Sequence, residues 1–266
     1  MTAIEKNHTW ELVDLPAAVI PIAVKWLFKT KLNELGKVDK YKAGLVVKGY
    51  ANGKEWIITS LYVDDLIYAG NDPVMCESYK RSMQLEFERT DLGKMKFFLG
   101  VEVSQNSEGI SLCQSQYANE VLRRFEMWEA NDVKNPILPG TNLMKLTSGK
   151  DVNNTKYMSL IGSLMYLTVT RPDLMYVVSL LSRLMGKPNE EHMAVAKRVL
   201  RYIKGTLNHG LCYKKDKSQK LRVFTDSNYA PDLEDRRSTS GYVCLFNGTA
   251  ICWSSRKQEV VTLSTT

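Results

Sequence analysis

Two adjacent aspartates, Asp64 and Asp65, are the strongest candidates for chemistry in this sequence. Apolar runs at 56–63 and 66–69 flank the pair, a pattern typical of two strands joined by a tight turn. Neighbouring carboxylates repel each other. A divalent cation such as magnesium relieves that repulsion and completes its shell with water and substrate phosphates. Because aspartate is also common in solvated turns, spacing alone leaves a metal site and a plain turn as equal alternatives.

The elements that would position this pair are strands followed by a helix. Extended runs are expected at residues 25–31, 41–50 and 56–69. Asp72 and Pro73 then predict a helix start, as the N-cap and the first-turn residue. Apolar side chains recur every four residues on the face that we expect to lie against the core, at Met75, Tyr79, Met83 and Phe87. This part of the chain predicts a hairpin over 56–70 and a helix with one core-facing stripe.

The next segment predicts two strands, a helix and a linker. The strands are expected at 96–105 and 110–114, and Ser115 is expected to cap the helix that follows. Residues 135–154 are rich in proline, glycine, serine, threonine and asparagine, a composition typical of a linker.

Beyond the linker, the pattern predicts three apolar helices and then short strands. The helices are expected at 157–168, 172–185 and 189–205. A strand at 222–225 leads into Asp226. The dipeptide Asn247-Gly248 favours a hairpin between 241–246 and 250–254. Because strands and helices fall in separate groups, the whole pattern predicts an α+β fold.

The third of these helices carries a basic stripe formed by Lys197, Arg201 and Lys204, whose spacing puts all three residues on one helix face. Clustered cations of this kind contact the phosphates of nucleic acids. A solvated helix face gives the same pattern, and from spacing alone it is the favoured interpretation.

The composition is that of a globular protein with a surplus of positive charge. The 266 residues include 36 Lys and Arg against 29 Asp and Glu, which gives a formal net charge of +7 and a pI near 9.0. This balance is compatible with a polyanionic partner. The apolar runs are too short for a membrane span, and the first residues are too polar for a signal peptide. Scattered cysteines and isolated histidines predict neither a disulfide framework nor a zinc site. We expect an intracellular protein, cytoplasmic or nuclear and not secreted.

Five blocks and the tail of the chain carry a family resemblance. The blocks are 7–13 with 25–29, 41–50, 61–65, 91–93 with 97–103, and 159–167 with 170–173, and the tail is 225–230 with 252–258. In this order they resemble the reverse transcriptase–ribonuclease H region of Ty1/copia-type retrotransposon Pol polyproteins. The tetrapeptide Tyr62-Val63-Asp64-Asp65 alone is a weak signal. The colinear set, which covers nearly the whole chain, is very specific.

The resemblance implies a fingers–palm–thumb polymerase that copies RNA into DNA by two-metal phosphoryl transfer with Mg²⁺. A helical connection and the start of a ribonuclease H-like sheet would follow. Asp64 and Asp65 would be metal ligands on the palm hairpin, and Asp226 would be the first carboxylate of the ribonuclease H site. Contacts to the incoming dNTP or the primer end are implied for Lys42, Tyr62, Phe98, Leu99 and Gly100. The implied partner is an RNA/DNA primer–template, whose backbone the basic stripe would contact.

Departures from the family pattern predict that this copy is inactive. Gly44 stands where the family pattern has an arginine, so one phosphate contact is missing. Between Tyr50 and Trp56 the family has a long stretch that includes a palm strand with its own catalytic aspartate. Here only five residues remain. The two carboxylates of the hairpin then have nothing facing them. The ribonuclease H site is similarly incomplete, because the sequence stops at Thr266, just before the family's catalytic glutamate.

The predicted domains are a reverse transcriptase remnant at 1–134 with a deletion between residues 51 and 56, a linker at 135–155, a helical connection at 156–208, and a truncated ribonuclease H-like domain at 209–266. Three functions stay open. The chain is a defective retroelement fragment, a nucleic-acid-binding or interaction protein derived from the retroelement, or an active enzyme whose gene model omits coding sequence. Binding of primer–template separates the first two, and the genomic DNA decides the third.

Overall fold

The structure, a computed structural model, describes residues 55–62, 65–87, 90–141, 143, 149–215, 220–227 and 237–261, together with the backbone of 24–32 and 38–47. These residues form helices and antiparallel sheets, which confirms the α+β class. The contacts divide the chain into two compact units between Leu92 and Gly93. Among the described helices, none combines the length and the apolar character needed to cross a bilayer.

The first unit contains a two-stranded antiparallel sheet near the start of the chain. Strand β1 (Val24–Leu32) pairs with strand β2 (Val38–Val47), and Lys42 lies opposite Lys29. The register shifts once, between Lys31 and Leu32. The extended runs predicted for this part of the chain are therefore confirmed where they are described.

The hairpin predicted over 56–70 is also confirmed. Strand β3 (Ile57–Tyr62) pairs antiparallel with strand β4 (Asp65–Gly70), and we call this pair the acidic hairpin. Its register runs from Ile57 opposite Gly70 to Tyr62 opposite Asp65. Val63 and Asp64 connect the two strands in the sequence and lie outside the described residues.

Helix α1 (Pro73–Glu86) follows and begins as its sequence predicts. The Asp72 carboxylate accepts a hydrogen bond from the Met75 N–H at 2.7 Å, and Pro73 occupies the first turn. This cap satisfies one of the N–H groups that every helix start leaves without an intrahelical partner.

The core-facing stripe predicted for α1 is only partly correct. Met75, Tyr79 and Met83 are half-buried, and no residue of the helix is fully buried. Phe87 lies beyond the helix end in an extended conformation, and 53% of its surface is exposed. The helix is only partly buried because it packs on β4 of a sheet that has only two strands. Such a sheet covers one narrow strip of the helix.

The second unit begins with a four-stranded antiparallel sheet in the order β5 (Phe97–Phe98), β6 (Val101–Gln105), β7 (Gly109–Cys113) and β8 (Gly210–Lys214). The single strand predicted at 96–105 is wrong, because a turn divides it. Leu99 and Gly100 adopt positive φ angles of 47° and 78° and fold β5 back on β6.

Helix α2 (Ser115–Arg124) begins without the predicted cap. Ser115 is the first helical residue, and the N-cap position belongs to Gln114, whose side chain makes no capping bond. That side chain bonds to the core instead. Its Nε2 donates to the Tyr166 carbonyl at 3.3 Å, and its Oε1 accepts from the Thr170 hydroxyl at 2.8 Å.

The core of the second unit is helical. Beside α2 it contains α3 (Asn154–Leu167), a 3-10 turn (Pro172–Leu174), α4 (Met175–Ser182) and α5 (Glu190–Gly205). The three predicted helices and the break at Pro172 are therefore confirmed. The largest fully buried side chains include Tyr157, Leu122, Leu160, Ile161, Leu164 and Leu167.

The segment predicted as a linker packs against this core where it is described. Leu143 is buried, and its carbonyl accepts a hydrogen bond from His192 Nε2 at 3.2 Å. The other ring nitrogen of His192 accepts from the Asn189 N–H, and the Asn189 side chain accepts from the His192 N–H. His192, isolated in the sequence, thus completes a capping box at the start of α5. The boundaries predicted for the four domains stay a prediction.

A three-stranded antiparallel sheet follows the helices, with β10 (Thr239–Phe246) between β9 (Leu221–Ser227) and β11 (Thr249–Lys257). Asn247 and Gly248 connect β10 to β11 with positive φ angles of 49° and 83°. This confirms the predicted hairpin, since a tight turn of this kind needs residues that tolerate positive φ.

Strand β11 ties this sheet to the rest of the second unit. Trp253 Nε1 donates a hydrogen bond to the Thr168 carbonyl, just after α3, at 3.1 Å. The Tyr213 hydroxyl, on β8, donates to the Ala250 carbonyl at 2.9 Å. Strand β11 therefore contacts both the helices and the four-stranded sheet.

A buried arginine joins the 3-10 turn to the end of α5. Arg171 is 4% exposed, and its guanidinium donates to both carboxylate oxygens of Asp173 at 2.7 to 3.2 Å. It also donates to the carbonyl and the hydroxyl of Thr206, at 3.0 and 2.8 Å. The Tyr202 hydroxyl donates to Asp173 at 3.0 Å, and the Tyr202 ring lies beneath the guanidinium. We call these four residues the arginine clamp.

Replacement of Arg171 by alanine is expected to lower the free energy of unfolding by about 3 kcal/mol, because it leaves a partly buried carboxylate without its counter-charge. Urea denaturation followed by circular dichroism measures this loss. Arg222→Ala, on the exposed strand β9, is the matched control and should change stability by less than about 0.5 kcal/mol. Equal losses in the two variants would contradict a special role for the clamp.

The clamp also predicts how stability depends on pH. Burial alone would raise the pKa of the Asp173 carboxyl, but hydrogen bonds and charge from Arg171, with the Tyr202 hydroxyl, hold it below its ordinary 3.8. A depressed pKa stabilises the fold above the unfolded-state value, and this part is lost as the pH falls through the folded-state value. Urea midpoints of the wild type and Asp173→Asn should therefore differ most at neutral pH and converge in acid. A gap that is constant with pH would show that the carboxylate charge does not stabilise the clamp.

Candidate active site

The acidic hairpin frames one of the two predicted metal ligands. Asp65 is the first residue of β4, pairs with Tyr62 and is exposed. Tyr62, which is predicted to contact substrate, is 53% exposed at the end of β3. Asp64 falls outside the described residues, so its role stays a prediction. The described residues at this end of the hairpin are thus open to solvent.

The opposite end of the acidic hairpin is fixed by hydrogen bonds. The Trp56 N–H donates to Asn71 Oδ1 at 2.7 Å, and the Asn71 N–H donates to the Trp56 carbonyl at 3.2 Å. Gly70 has no room for a side chain, since a Cβ there would lie 2.7 Å from Cys76 Sγ and 2.8 Å from the Trp56 carbonyl oxygen. The strands are therefore held closely against the start of α1.

Tyr79 on α1 contacts both strands of the hairpin. Its hydroxyl accepts a hydrogen bond from the Thr59 hydroxyl at 3.2 Å, and its ring packs against Tyr68 with 5.3 Å between centroids. Burial and the nearby Asp91 carboxylate raise the pKa of Tyr68, while Lys80 opposes this. Tyr68 is therefore a neutral packing residue at physiological pH.

Lys80 pairs with two carboxylates of the first unit. Its Nζ lies 2.8 Å from Glu77 and 3.3 Å from Asp91. Hydrogen bonds to these two acids raise the pKa of Lys80. The hydrogen bond from Lys80 lowers the pKa of Glu77. Lys80 therefore links Glu77 on its own helix to Asp91 in the segment that follows the helix.

The described residues do not fit a two-metal centre. No group of three or more His, Cys, Asp or Glu side chains in the described part of the chain could hold a metal ion. Two-metal phosphoryl transfer needs ligands around both ions, and of the predicted pair only Asp65 is described. Magnesium binding by Asp64 and Asp65 therefore stays a prediction.

Strand β3 exposes apolar side chains on both faces. Ile58 is 65% exposed and Leu61 is 63% exposed. Because their sequence positions differ by an odd number, the two side chains point to opposite faces of the strand. Exposed apolar surface of this kind is typical of a strand that packs against further structure in a complete protein.

Phe98, Leu99 and Gly100 form the tight connection between β5 and β6, which we call the grip hairpin. Leu99 is 42% exposed, whereas Phe98 is half-buried. A Cβ on Gly100 would lie 2.6 Å from the Tyr166 hydroxyl, and the Tyr166 ring packs edge-on against Tyr117. Both tyrosines belong to the helices, so the helical core fixes the position of this turn.

Lys42 and Asp226, the other predicted site residues on strands, lie far apart in the sequence. Lys42 belongs to β2, of which the backbone alone is described. Asp226 on β9 is exposed and lies opposite Gly241 on β10. The hydroxyl of the neighbouring Thr225 donates to the Gly241 carbonyl at 3.2 Å. Their roles toward triphosphate and in ribonuclease H chemistry stay predictions.

Two of the three residues of the basic stripe contact the protein itself. Arg201 Nε donates to the Asn131 carbonyl at 2.6 Å, and Lys204 Nζ donates to the Ala130 carbonyl at 2.8 Å. Lys197 is exposed. The stripe therefore fastens the loop after α2 to α5, and its contact with a nucleic-acid backbone stays a prediction.

Sequence reasoning missed the residues that hold these elements together. Arg171 belongs to a block that carries the family resemblance, yet its partner Thr206 lies 35 residues away. Gln114 is likewise linked to Tyr166 across 52 residues. The local signal for the clamp is an arginine and an aspartate two residues apart between two apolar helices.

The grip hairpin yields a test with an internal control. Gly100 and Gly140 have nearly equal φ angles of 78° and 76°, but a Cβ on Gly140 would meet nothing within 4 Å. Gly140→Ala should therefore cost about 1 kcal/mol of backbone strain, and Gly100→Ala should cost more because of the clash with Tyr166. Thermal unfolding measures both. Addition of Tyr166→Phe should recover part of the Gly100→Ala loss, and no recovery would contradict the assigned clash.

Comparison with known proteins gives the family. The family model for reverse transcriptase (RNA-dependent DNA polymerase) matches residues 7–55 and 51–139, about half of the chain. No solved structure matches the chain.

Curated relatives give the same result. A retrovirus-related Pol polyprotein from transposon RE1 of Arabidopsis thaliana is 37% identical over 80% of this chain and 15% of its own length. The corresponding polyprotein from transposon TNT 1-94 of Nicotiana tabacum is 36% identical over 79% of this chain and 16% of its own length. An uncharacterized mitochondrial protein of Arabidopsis thaliana is 32% identical over 77% of this chain and 85% of its own length.

The chain thus spans about 15% of the length of these Pol polyproteins. The two matched segments of the family model and the relatives agree with the resemblance carried by the sequence blocks. The chain belongs to the reverse transcriptase family of copia-type retrotransposon Pol polyproteins.

Proposed function

We propose that this chain is a retrotransposon-derived reverse transcriptase–ribonuclease H fragment that does not polymerise DNA by itself. The observation that carries the proposal is the acidic hairpin. It is a two-stranded sheet, and among the described residues Asp65 belongs to no cluster of side chains that could hold a metal ion.

The chemistry of phosphoryl transfer explains why one hairpin is insufficient. Two metal ions must bridge the attacking oxygen, the transferred phosphate and the leaving group. Asp64 and Asp65 are neighbours in sequence, so they approach the ions from one side and cannot surround both. We therefore expect weak Mg²⁺ binding at most.

An internal deletion accounts for the missing ligand. The family resemblance implies a palm strand with its own aspartate between Tyr50 and Trp56. The two segments that match the family model meet at residues 51–55, which supports a loss of sequence at this position. The exposed apolar faces of β3 support it as well, because the lost palm elements would have covered one of them.

We assign the described elements to the parts of a reverse transcriptase by their order. Strands β1 and β2 correspond to the fingers, the acidic hairpin to the palm, and the segment up to residue 134 to the end of the polymerase. Helices α3 to α5 correspond to the connection. Strands β9 to β11 correspond to the start of a ribonuclease H domain, with Asp226 as its first carboxylate. The colinear sequence blocks and the antiparallel order of these strands support this assignment.

Binding of an RNA/DNA primer–template without synthesis is the second candidate function. The grip hairpin supports it, because Leu99 is 42% exposed on a turn that the core holds in place. Phe97, which precedes the grip hairpin on β5, is 55% exposed. The net charge of +7 favours a polyanionic partner as well.

An active enzyme encoded by a longer gene is the remaining alternative. Genomic DNA between the codons for Ala51 and Trp56 decides it. An open reading frame there that encodes an aspartate-bearing strand would replace the fragment proposal. An uninterrupted junction would support the deletion.

Primer extension tests the proposed lack of activity. The purified chain, with magnesium or manganese and a homopolymer RNA template, is expected to give no template-dependent DNA. A missing metal ligand costs several kcal/mol of charge stabilisation, and each ~1.4 kcal/mol slows the reaction about tenfold. The Asp64→Asn, Asp65→Asn double variant gives the background. Synthesis that disappears in this variant would overturn the proposal and would mean that another acid, or a second chain, completes the site.

Binding is measured in parallel by fluorescence anisotropy of a labelled primer–template. Affinity that falls steeply with salt would support the second candidate function. Unchanged anisotropy at all salt concentrations, together with no synthesis, would leave a fragment that retains neither property.

A further inference from the structure

Two cysteines face each other across the last hairpin of the chain. Cys244 on β10 lies directly opposite Cys252 on β11. Both are free thiols, and neither belongs to the proposed polymerase or nuclease site. The pair therefore has no role in the functions described above.

The strand register brings the pair close to disulfide geometry. Directly opposed residues of an antiparallel pair have Cβ atoms about 4.5 to 5.5 Å apart, and a disulfide needs about 3.5 to 4.5 Å. A closure of about 1 Å is thus sufficient. The register is irregular between Cys244 and Leu245, directly beside the pair, so the ladder is locally interrupted there.

Access to the pair comes from the outer face of β11. Trp253 is held to the Thr168 carbonyl through its Nε1, so this face of β11 lies against the helices. Successive side chains of a strand point to opposite faces, which places Cys252 on the other face. Cys252 is exposed, and Cys244 is half-buried.

The two thiols already interact. The hydrogen bond with Cys252, and to a smaller extent burial, raises the pKa of the Cys244 thiol. The exposed Cys252 is the sulfur that an oxidant from solvent reaches first.

We propose that Cys244 and Cys252 form a reversible cross-strand disulfide, which makes this hairpin a redox modification site for oxidants of the peroxide class. The sulfur of Cys252 attacks one peroxide oxygen, and the O–O bond breaks. Cys252 becomes a sulfenic acid, and one water molecule is released. The sulfur of Cys244 then attacks that sulfur, the S–S bond forms, and a second water leaves. The thiols lose two electrons and two protons, and hydrogen peroxide accepts both.

Cys212 provides the matched control, because it is also exposed but faces no thiol. It lies opposite Ser111 on β7, whose hydroxyl is 3.5 Å from its sulfur. Cys212 therefore shares the exposure of Cys252 without a thiol directly opposite it, since Cys113 on the neighbouring strand lies opposite Gly210.

Mass spectrometry of the full chain tests the proposal. Trypsin leaves both cysteines in one peptide, 238–256, because no lysine or arginine separates them. After hydrogen peroxide and alkylation of free thiols, this peptide should be unalkylated and lighter by two hydrogen atoms. Dithiothreitol should restore two alkylated cysteines. Cys212→Ser should behave like the wild type, and Cys252→Ser should lose the internal bond.

Disulfide formation should be about tenfold faster in the folded chain than in the chain unfolded with guanidinium, because the fold raises the effective concentration of one thiol at the other. An equal rate in both states would overturn the proposal. It would also be overturned by a peptide 238–256 that keeps two free thiols while Cys212 is oxidised, or by a bond from Cys252 to any other cysteine.

Discussion

The paired guanidinium of Arg171 is the contact on which the second unit depends. A buried arginine is tolerated only when its charge is neutralised and its N–H groups are bonded, and Asp173, Thr206 and Tyr202 do this together. Thr206 ends α5, and β8 starts at Gly210, so the same contact fixes where β8 joins the four-stranded sheet. That sheet carries the grip hairpin. A charge pair distant in sequence from the grip hairpin therefore helps to place the sheet to which the hairpin belongs, while Tyr166 holds the turn itself.

Elements with a local chemical signal could be predicted from the sequence, and elements defined by packing could not. The predicted helix start at Asp72-Pro73 and the predicted turn at Asn247-Gly248 are correct. These residues act through their own backbone and hydrogen-bonding preferences. The turn at Leu99 is not predicted, because leucine rarely adopts a positive φ and its presence gives no signal for one. For residues 135–154, the composition does not reveal that Leu143 reaches a buried position beside His192.

The candidate site follows the same division. A short local pattern of apolar residues predicts the acidic hairpin itself. The elements that would pack against the hairpin come from elsewhere in the chain, so the local pattern does not predict them. The stripe of Lys197, Arg201 and Lys204 was correctly placed on one helix by its spacing. Spacing could not show that the carbonyls of Ala130 and Asn131 lie in reach of two of its cations. One-dimensional periodicity gives the face of an element but not its neighbours.

The acidic hairpin also has open edges, since neither β3 nor β4 pairs with a third strand in the described part of the chain. Each edge presents N–H and C=O groups that another extended segment can bind, and a second copy of the chain offers the same edge. Copies can therefore join edge to edge into a growing sheet, which the apolar side chains of β3 stabilise. Open edges of this kind therefore limit the concentration at which the polypeptide stays soluble. Above that concentration, edge-to-edge association competes with folding, and the protein is exposed to chaperones and proteases.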